Sequence, residues 1–285
     1  MSVAATSTRR SFVGRMFQAG AALATTGGAA FGYGSLVERH HPVIERVTIP
    51  LPGLGRAWQG FRIVQISDLH LEPLRDSELL QKVVQTINGL KPDLVALTGD
   101  YVTEDASDVA RLSAPLAALN APAGVFACAG NHDLWSGVAK VSRALREHGI
   151  TYLNNAGHGL SRRNETLWIA GLDSAWGGHP RLKGALKGRP VDAATVVLMH
   201  EPDYADLIAT SSVPLLQLSG HTHGGQICLP GGRPVRLPSW GRKYPKGLFR
   251  VGDVRLYVNR GIGCTNIPVR FGCPPEITEI TLSCV

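Results

Sequence analysis

Five times between residues 61 and 223 a short apolar run ends in a loop made of Asp, Asn, His and Gly. The loops are Asp68-Leu69-His70, Gly99-Asp100, Gly130-Asn131-His132-Asp133, His200, and Gly220-His221-Thr222-His223. The runs before them, at 61–66, 93–97, 124–129, 195–199 and 214–219, have the length and aliphatic, β-branched character of buried strands. Helical spacing lies between them, at 77–90 with Ser77 as the cap, at about 108–119, at 135–148 and at about 203–209. Further strands are expected at 166–171, 254–259 and 277–283, with a proline-interrupted edge strand at 47–54. Strands alternating with helices predict an α/β domain with a largely parallel central sheet, whose ligands gather beyond the carboxyl ends of the strands. The His- and Asp-bearing loops all fall there.

A histidine after one strand is commonly a hydrogen-bonded structural residue, and Asp-x-His arises by chance. Five such loops in succession are hard to obtain that way. Side chains alternate along an extended chain, so Asp68 and His70 can aim at one point, as can His221 and His223. Glycines at 99, 130, 220, 224 and 225 permit the tight turns and close backbone approach that such a centre needs. Carboxylates combined with imidazoles suit Mn, Fe or Zn, whereas calcium would want more oxygens and a thiolate zinc site would want cysteines. The five cysteines, Cys128, Cys228, Cys264, Cys273 and Cys284, show no C-x-x-C spacing and are read as mostly structural, with a Cys264–Cys273 bridge left open.

The ordered set Asp-x-His, Gly-Asp, Gly-Asn-His-Asp, His, Gly-His-x-His resembles the calcineurin-like metallophosphoesterases over about residues 61–223. The tail through Pro275-Glu276-Ile277 is similar to that of an exported, membrane-linked bacterial branch. The resemblance implies a four-layer αββα sandwich of two mixed sheets and a centre of two divalent metal ions. It places Asp68, His70 and His223 on the first metal, Asn131, His200 and His221 on the second, and Asp100 between both. His132 matches the histidine that stabilises the transition state or protonates the leaving oxygen, and Asp133 is expected to orient a neighbouring histidine. Two cations in such a site activate water for attack on phosphorus. One position departs from the pattern. Many members carry an Asp three residues after the bridging carboxylate, where it supports the catalytic histidine; this chain has Thr103 followed by Glu104, so either Glu104 substitutes or His132 works without a carboxylate partner.

The N-terminal segment reads separately. Thr8-Arg9-Arg10-Ser11-Phe12-Val13 precedes an Ala/Gly-rich stretch at 16–31, and no Asp or Glu occurs before Glu38. That layout resembles a twin-arginine export signal, and the stretch is too short and too rich in glycine for a confident spanning helix. The expected organisation is a signal or anchor segment at 1–35, a polar linker at 36–43 and a metallophosphoesterase domain at 44–285. Such a protein would engage the twin-arginine export machinery and act in the periplasm or at the outer face of the bacterial inner membrane.

The formal net charge of +7 over 285 residues favours anionic partners. A loop carrying Arg233, Arg236, Arg242, Lys243, Lys246 and Arg250 follows the last motif, and Arg242 and Lys243 are the candidate substrate-binding residues. The same loop suits an anionic membrane surface, and Trp240 and Tyr244 within it are candidates for touching a ligand or lipid. The expected substrate is a phosphorylated small molecule or lipid, with UDP-2,3-diacylglucosamine as one candidate. Scattered basic residues without an interleaved aromatic platform argue against nucleic acid. A catalytically silent metal-binding scaffold is the alternative. It is opposed by the presence of all seven ligand positions and His132.

Overall fold

The structure, a computed structural model, describes residues 27–70 and 76–285 together with Met16 and Thr25. The twin-arginine motif of the expected export signal lies outside the described residues. Two six-stranded mixed sheets form the centre. The first runs β1 (Val43–Pro50), β14 (Glu276–Ser283), β2 (Arg62–Ile66), β3 (Leu94–Leu97), β4 (Val125–Ala127) and β5 (Thr151–Tyr152). The second runs β12 (Gly247–Val251), β13 (Val254–Val258), β9 (Leu215–Ser219), β8 (Ala194–Leu198), β7 (Glu165–Gly171) and β6 (Ala156–Arg162). A two-stranded ribbon, β10 (Cys228–Leu229) with β11 (Arg233–Pro234), stands apart from both.

Strand alternation sorts the apolar residues into three layers. In β2 and β3, Ile63, Leu94 and Ala96 point to one side, where they pack with Leu167, Ile169, Val196, Leu198, Leu216 and Leu218 of the second sheet. Their neighbours Val64, Ile66, Val95 and Leu97 point the other way, under α1 (Ser77–Leu90), α2 (Val109–Leu116) and α3 (Asn131–Glu147). On the far side, Val197 and Leu215 pack with Ala185 of α4 (Leu182–Ala185) and Ile208 of α5 (Ala205–Ala209). Helix, sheet, sheet, helix is the four-layer αββα order. Because both faces of the central strands are covered, they read as continuous apolar runs.

Several sequence expectations need correction. The single, largely parallel sheet expected from strand–helix alternation is two sheets, and β14, which is antiparallel to β2, interrupts the parallel order of the first. The hairpin strands β6 and β12 had no expected counterpart, since their burial is partial and their sequences lack a clean apolar run. Asp76, not Ser77, occupies the cap position of α1, with φ −115° and ψ 15°. α3 begins four residues before the expected 135, because Asp133 folds back to accept from the Gly130 amide at 2.9 Å and closes the first turn. The edge strand begins at Val43 rather than 47 and pairs parallel with β14. All five cysteines are free thiols.

The stretch read as a polar linker packs against the rest of the fold. Glu38 accepts from the amides of Gly272 and Cys273, and Arg39 forms a buried 2.8 Å ion pair with Asp76. Among the described residues no helix is long and apolar enough to cross a membrane.

Candidate metal centre

The loops after β2, β3 and β4 meet those after β8 and β9 at one end of the two sheets. Asp68, His70 and His223 bring ligand atoms within 4.8 Å of one another, as do Asp100, His200 and His221. A third grouping, His70, Asp100 and His132, satisfies the same limit and joins the first two. His70 and Asp100 each belong to two groupings, and Asp100 Oδ2 lies 3.0 Å from His200 Nε2 and 3.3 Å from His70 Nε2. Asp68 Oδ1 lies 3.3 Å from His223 Nε2 and 3.9 Å from His200 Nε2. Asn131, the first residue of α3, is also buried.

This convergence does not come from strand alternation, as the sequence suggested. β2 ends at Ile66 and β9 at Ser219, so Asp68, His70, His221 and His223 all lie beyond the strands. They turn toward one point through left-handed backbone, with φ of 48°, 36°, 73° and 51° in that order, and 55° at Asp100. Residues with a Cβ avoid this region, and such strain concentrates at functional sites. Two glycines make room for the carboxylates. A Cβ on Gly130 would stand 2.1 Å from Asp100 Oδ1, and one on Gly220 would stand 1.9 Å from Ser67 Oγ and 2.1 Å from Asp68 Oδ2. The loops are also tied to each other: Asp68 accepts from the His221 amide at 2.9 Å, and Asp100 Oδ1 accepts from the His132 amide at 2.9 Å.

Backbone carbonyls orient the imidazoles. His200 Nδ1 faces the Thr98 carbonyl at 2.6 Å, His221 Nε2 faces the Ser239 carbonyl at 2.7 Å, and His132 Nδ1 faces the Thr103 carbonyl at 2.8 Å. A carbonyl only accepts, so the facing nitrogen carries the proton, and in the neutral ring the other nitrogen keeps its lone pair. His200 Nε2, His221 Nδ1 and His132 Nε2 are thereby free to act.

The profile of the calcineurin-like phosphoesterase family matches residues 61–225. The chain belongs to that family. It is 39% identical over 279 residues to the uncharacterized metallophosphoesterase YkuE of Bacillus subtilis, covering 96% of this chain and 97% of that one. It is 32% identical over 227 residues to the phosphodiesterase YaeI of Escherichia coli, covering 78% and 82%. A zebrafish (Danio rerio) transmembrane protein with a metallophosphoesterase domain is 30% identical over 264 residues, and the match spans 59% of that longer chain. One solved structure superposes with a TM-score of 0.50 at 14% identity, over 71% of this chain and 91% of that one, which speaks for the fold. The protein is thus a hydrolase acting on phosphate esters.

The residues of this phosphoesterase fit a pair of metal ions. Among the described residues, eight buried side-chain polar atoms lack a hydrogen-bond partner. Four of them are His70 Nε2, His200 Nε2, His223 Nδ1 and Asn131 Oδ1, all at this site. An unsatisfied buried polar atom costs about 1–3 kcal/mol; beyond the single Asp100 Oδ2 that faces both histidine Nε2 atoms, protein groups supply no partner there, whereas a cation would. Electrostatics point the same way. Burial pushes the Asp68 carboxyl up, but the charges of His223 and His200 pull it below the usual carboxylate range. Asp100 behaves alike under His200 and His70. Burial pulls His200 down, yet Asp100 and Asp68 hold its pKa well above the ordinary value. The cluster therefore favours positive charge, whether carried by a proton or by a cation.

One role left open by the sequence is filled, and one expected role changes. Neither Glu104 nor a carboxylate supports His132; the main-chain oxygen of Thr103 does, while its hydroxyl stands 3.2 Å from His70 Nδ1. Asp133 does not orient a histidine. Its oxygens accept from the amides of Asp100, Tyr101 and Gly130 at 2.8–2.9 Å, so it fixes the Asp100 loop against the start of α3. Burial, then the Asp100 charge, pushes the Asp133 carboxyl up to about 7 against the pull of those amides.

Arg242 and Lys243 donate their amides to Asp203, and the Lys243 ammonium pairs with Asp206 on the surface. Tyr244 donates to Asp206 and packs on Phe249, and Trp240 lies beside Tyr204. Sequence reasoning missed Trp135, although its place three residues past His132 on a helix puts it on the same face. It also missed the carbonyls of Thr98, Thr103 and Ser239, which carry no sequence signal.

Proposed function

We propose that this phosphoesterase is a metal-dependent phosphodiesterase or pyrophosphatase-type hydrolase. Its two divalent ions, Mn, Fe or Zn, would sit on Asp68, His70 and His223 and on Asn131, His200 and His221, with Asp100 reaching both. The observation that carries this reading is Asp100 Oδ2, set between the otherwise unpartnered Nε2 atoms of His70 and His200. When bound, the ions would supply an acidified water and a sink for charge on the phosphoryl oxygens. The remaining chemistry belongs to the chain. His132 keeps Nε2 available, and burial lowers its pKa against the raising effect of Asp100. The Thr103 carbonyl suits both its neutral and its protonated ring, so His132 can accept and hand on a proton at Nε2 beside the phosphate.

A cavity of about 490 Å³, lined by His70, His132, Glu104, Asp105 and Ile267 among others, opens beside the centre and offers room for a substituent of the ester. The diester preference draws support from the name of the YaeI relative. An exported location, periplasmic or at the outer face of the inner membrane, rests on the Arg9-Arg10 segment. A lipid-linked substrate such as UDP-2,3-diacylglucosamine rests on that location and on the basic loop, and it conflicts in part with export, because nucleotide-linked precursors are cytoplasmic. The test is hydrolysis of bis-p-nitrophenyl phosphate and p-nitrophenyl phosphate by chelator-stripped protein before and after addition of Mn²⁺. Activity should return with the metal and favour the diester. Full-rate cleavage by stripped protein would overturn the reading.

A further inference from the structure

We propose that Trp135 and Trp176 form a binding shelf for a planar aromatic group carried on the phosphate ester, a nucleobase or an aryl ring. The inference rests on the metal-centre reading above and deepens it by naming a substrate class. Trp135 stands on α3 and is 53% exposed, an unusual place for an indole without a ligand or partner. Its ring centroid is 5.0 Å from that of His132 and 5.0 Å from that of Trp176, which in turn lies 5.7 Å from His221. The two indoles therefore bridge the centre from the loop after β4 to the loop after β9.

The shelf is held rigidly. Glu201 is fully buried, and its carboxylate accepts from the amides of Ala175 and Trp176 at 3.0 and 3.1 Å and from the Ser174 hydroxyl. The buried Glu201 side chain thus fixes the turn that carries the partly buried Trp176 ring. The same turn passes close to the other: Gly177 has φ 111°, and a Cβ there would meet Trp135 Nε1 at 3.1 Å.

The two rings meet at 85°, so one can offer its face to a flat ligand while the other closes along the ligand's edge. Two indoles match the span of a single base or aryl ring, whereas an acyl chain would want a longer apolar trough. A quaternary ammonium group is disfavoured by a neighbouring site that gathers cations. Stacking on an aromatic side chain favours a ligand that carries a base or aryl ring over one that lacks it. The shelf and the cavity share only His132, so a phosphodiester held at the centre can direct one substituent to each.

The test compares ligands that differ only in the planar group. On Mn²⁺-loaded protein, quenching of tryptophan fluorescence should show uridine 5′-monophosphate binding at least tenfold more tightly than ribose 5-phosphate. In Trp135→Ala and Trp176→Ala the ratio should fall toward one, and Trp135→Phe should keep part of it. In kinetics, the ratio of kcat/KM for thymidine 5′-p-nitrophenyl phosphate over methyl p-nitrophenyl phosphate, which share a leaving group, should fall in the same variants. Equal binding of the two monophosphates, or a ratio unchanged in both alanine variants, would overturn the shelf. Hydrolysis of both esters with equal kcat/KM would overturn the shelf alone, whereas hydrolysis of neither would overturn the metal-centre reading beneath it.

Discussion

Asp100 does several jobs within one side chain. Oδ2 stands between His200 and His70, Oδ1 accepts from the His132 amide, and its own amide donates to Asp133. Asp100→Asn keeps the shape and removes the charge, so kcat for bis-p-nitrophenyl phosphate should fall by on the order of 10²-fold or more, measured at saturating Mn²⁺. His132→Gln should lower kcat by roughly 10²–10⁴-fold while metal content by elemental analysis stays at the wild-type level, since His132 hands on protons rather than holding metal. Gly220→Ala forces a Cβ into Ser67 Oγ and Asp68 Oδ2, and should weaken metal affinity in equilibrium dialysis. At this scale the sequence pointed to side chains that the fold gathers, Asp68, His70, Asp100, His200, His221 and His223, but not to Trp135 or to the amides that Asp133 holds. It was silent where backbone does the work: nothing in the identity of Thr98, Thr103 or Ser239 announces that its carbonyl fixes an imidazole. The substitution at Thr103 left open which group supports His132, and the fold answers with that residue's own carbonyl.

The loops at the sheet ends are elements in their own right, and Arg270 is what joins them. Its guanidinium is fully buried and donates to the carbonyls of Gly263, Arg260 and Cys273, with His223 O at 3.5 Å. Gly263 in turn donates its amide to the Asp68 carbonyl at 2.7 Å. Arg270→Met should therefore leave several buried carbonyls without donors, each at about 1–3 kcal/mol. Tm and metal affinity should drop together, with Arg270→Lys recovering part of both. The strands that carry these loops were readable because apolar runs covered on both faces are unambiguous, whereas β6 and β12 were hidden by partial burial. The left-handed turns at Asp68, His70, His221 and His223 could not be read, because backbone strain is set by the surrounding packing and not by the residue itself.

For the whole molecule, two sheets pressed face to face bring loops from β2 to β4 against loops from β8 and β9 at one rim, joining residues as far apart in sequence as Asp68 and His221, 153 positions. The resemblance to a known family supplied the two-sheet arrangement, since strand–helix alternation alone fits a single sheet equally well. A centre shared between both halves should couple metal binding to global stability. At a free Mn²⁺ concentration 100-fold above Kd the gain is about 2.7 kcal/mol per ion, or roughly 5 °C in Tm per ion for a chain of this size. An unchanged Tm at that concentration would mean that the folded protein does not bind the ion in preference to the unfolded chain. The most direct test of the centre itself is metal stoichiometry, by elemental analysis of stripped protein after dialysis against Mn²⁺ and beside Asp100→Asn. Two ions per wild-type chain and fewer than one tightly held in the variant are the expected result. A folded wild type that retains none, or a variant that still holds two with wild-type affinity, would contradict a dinuclear site built on Asp100.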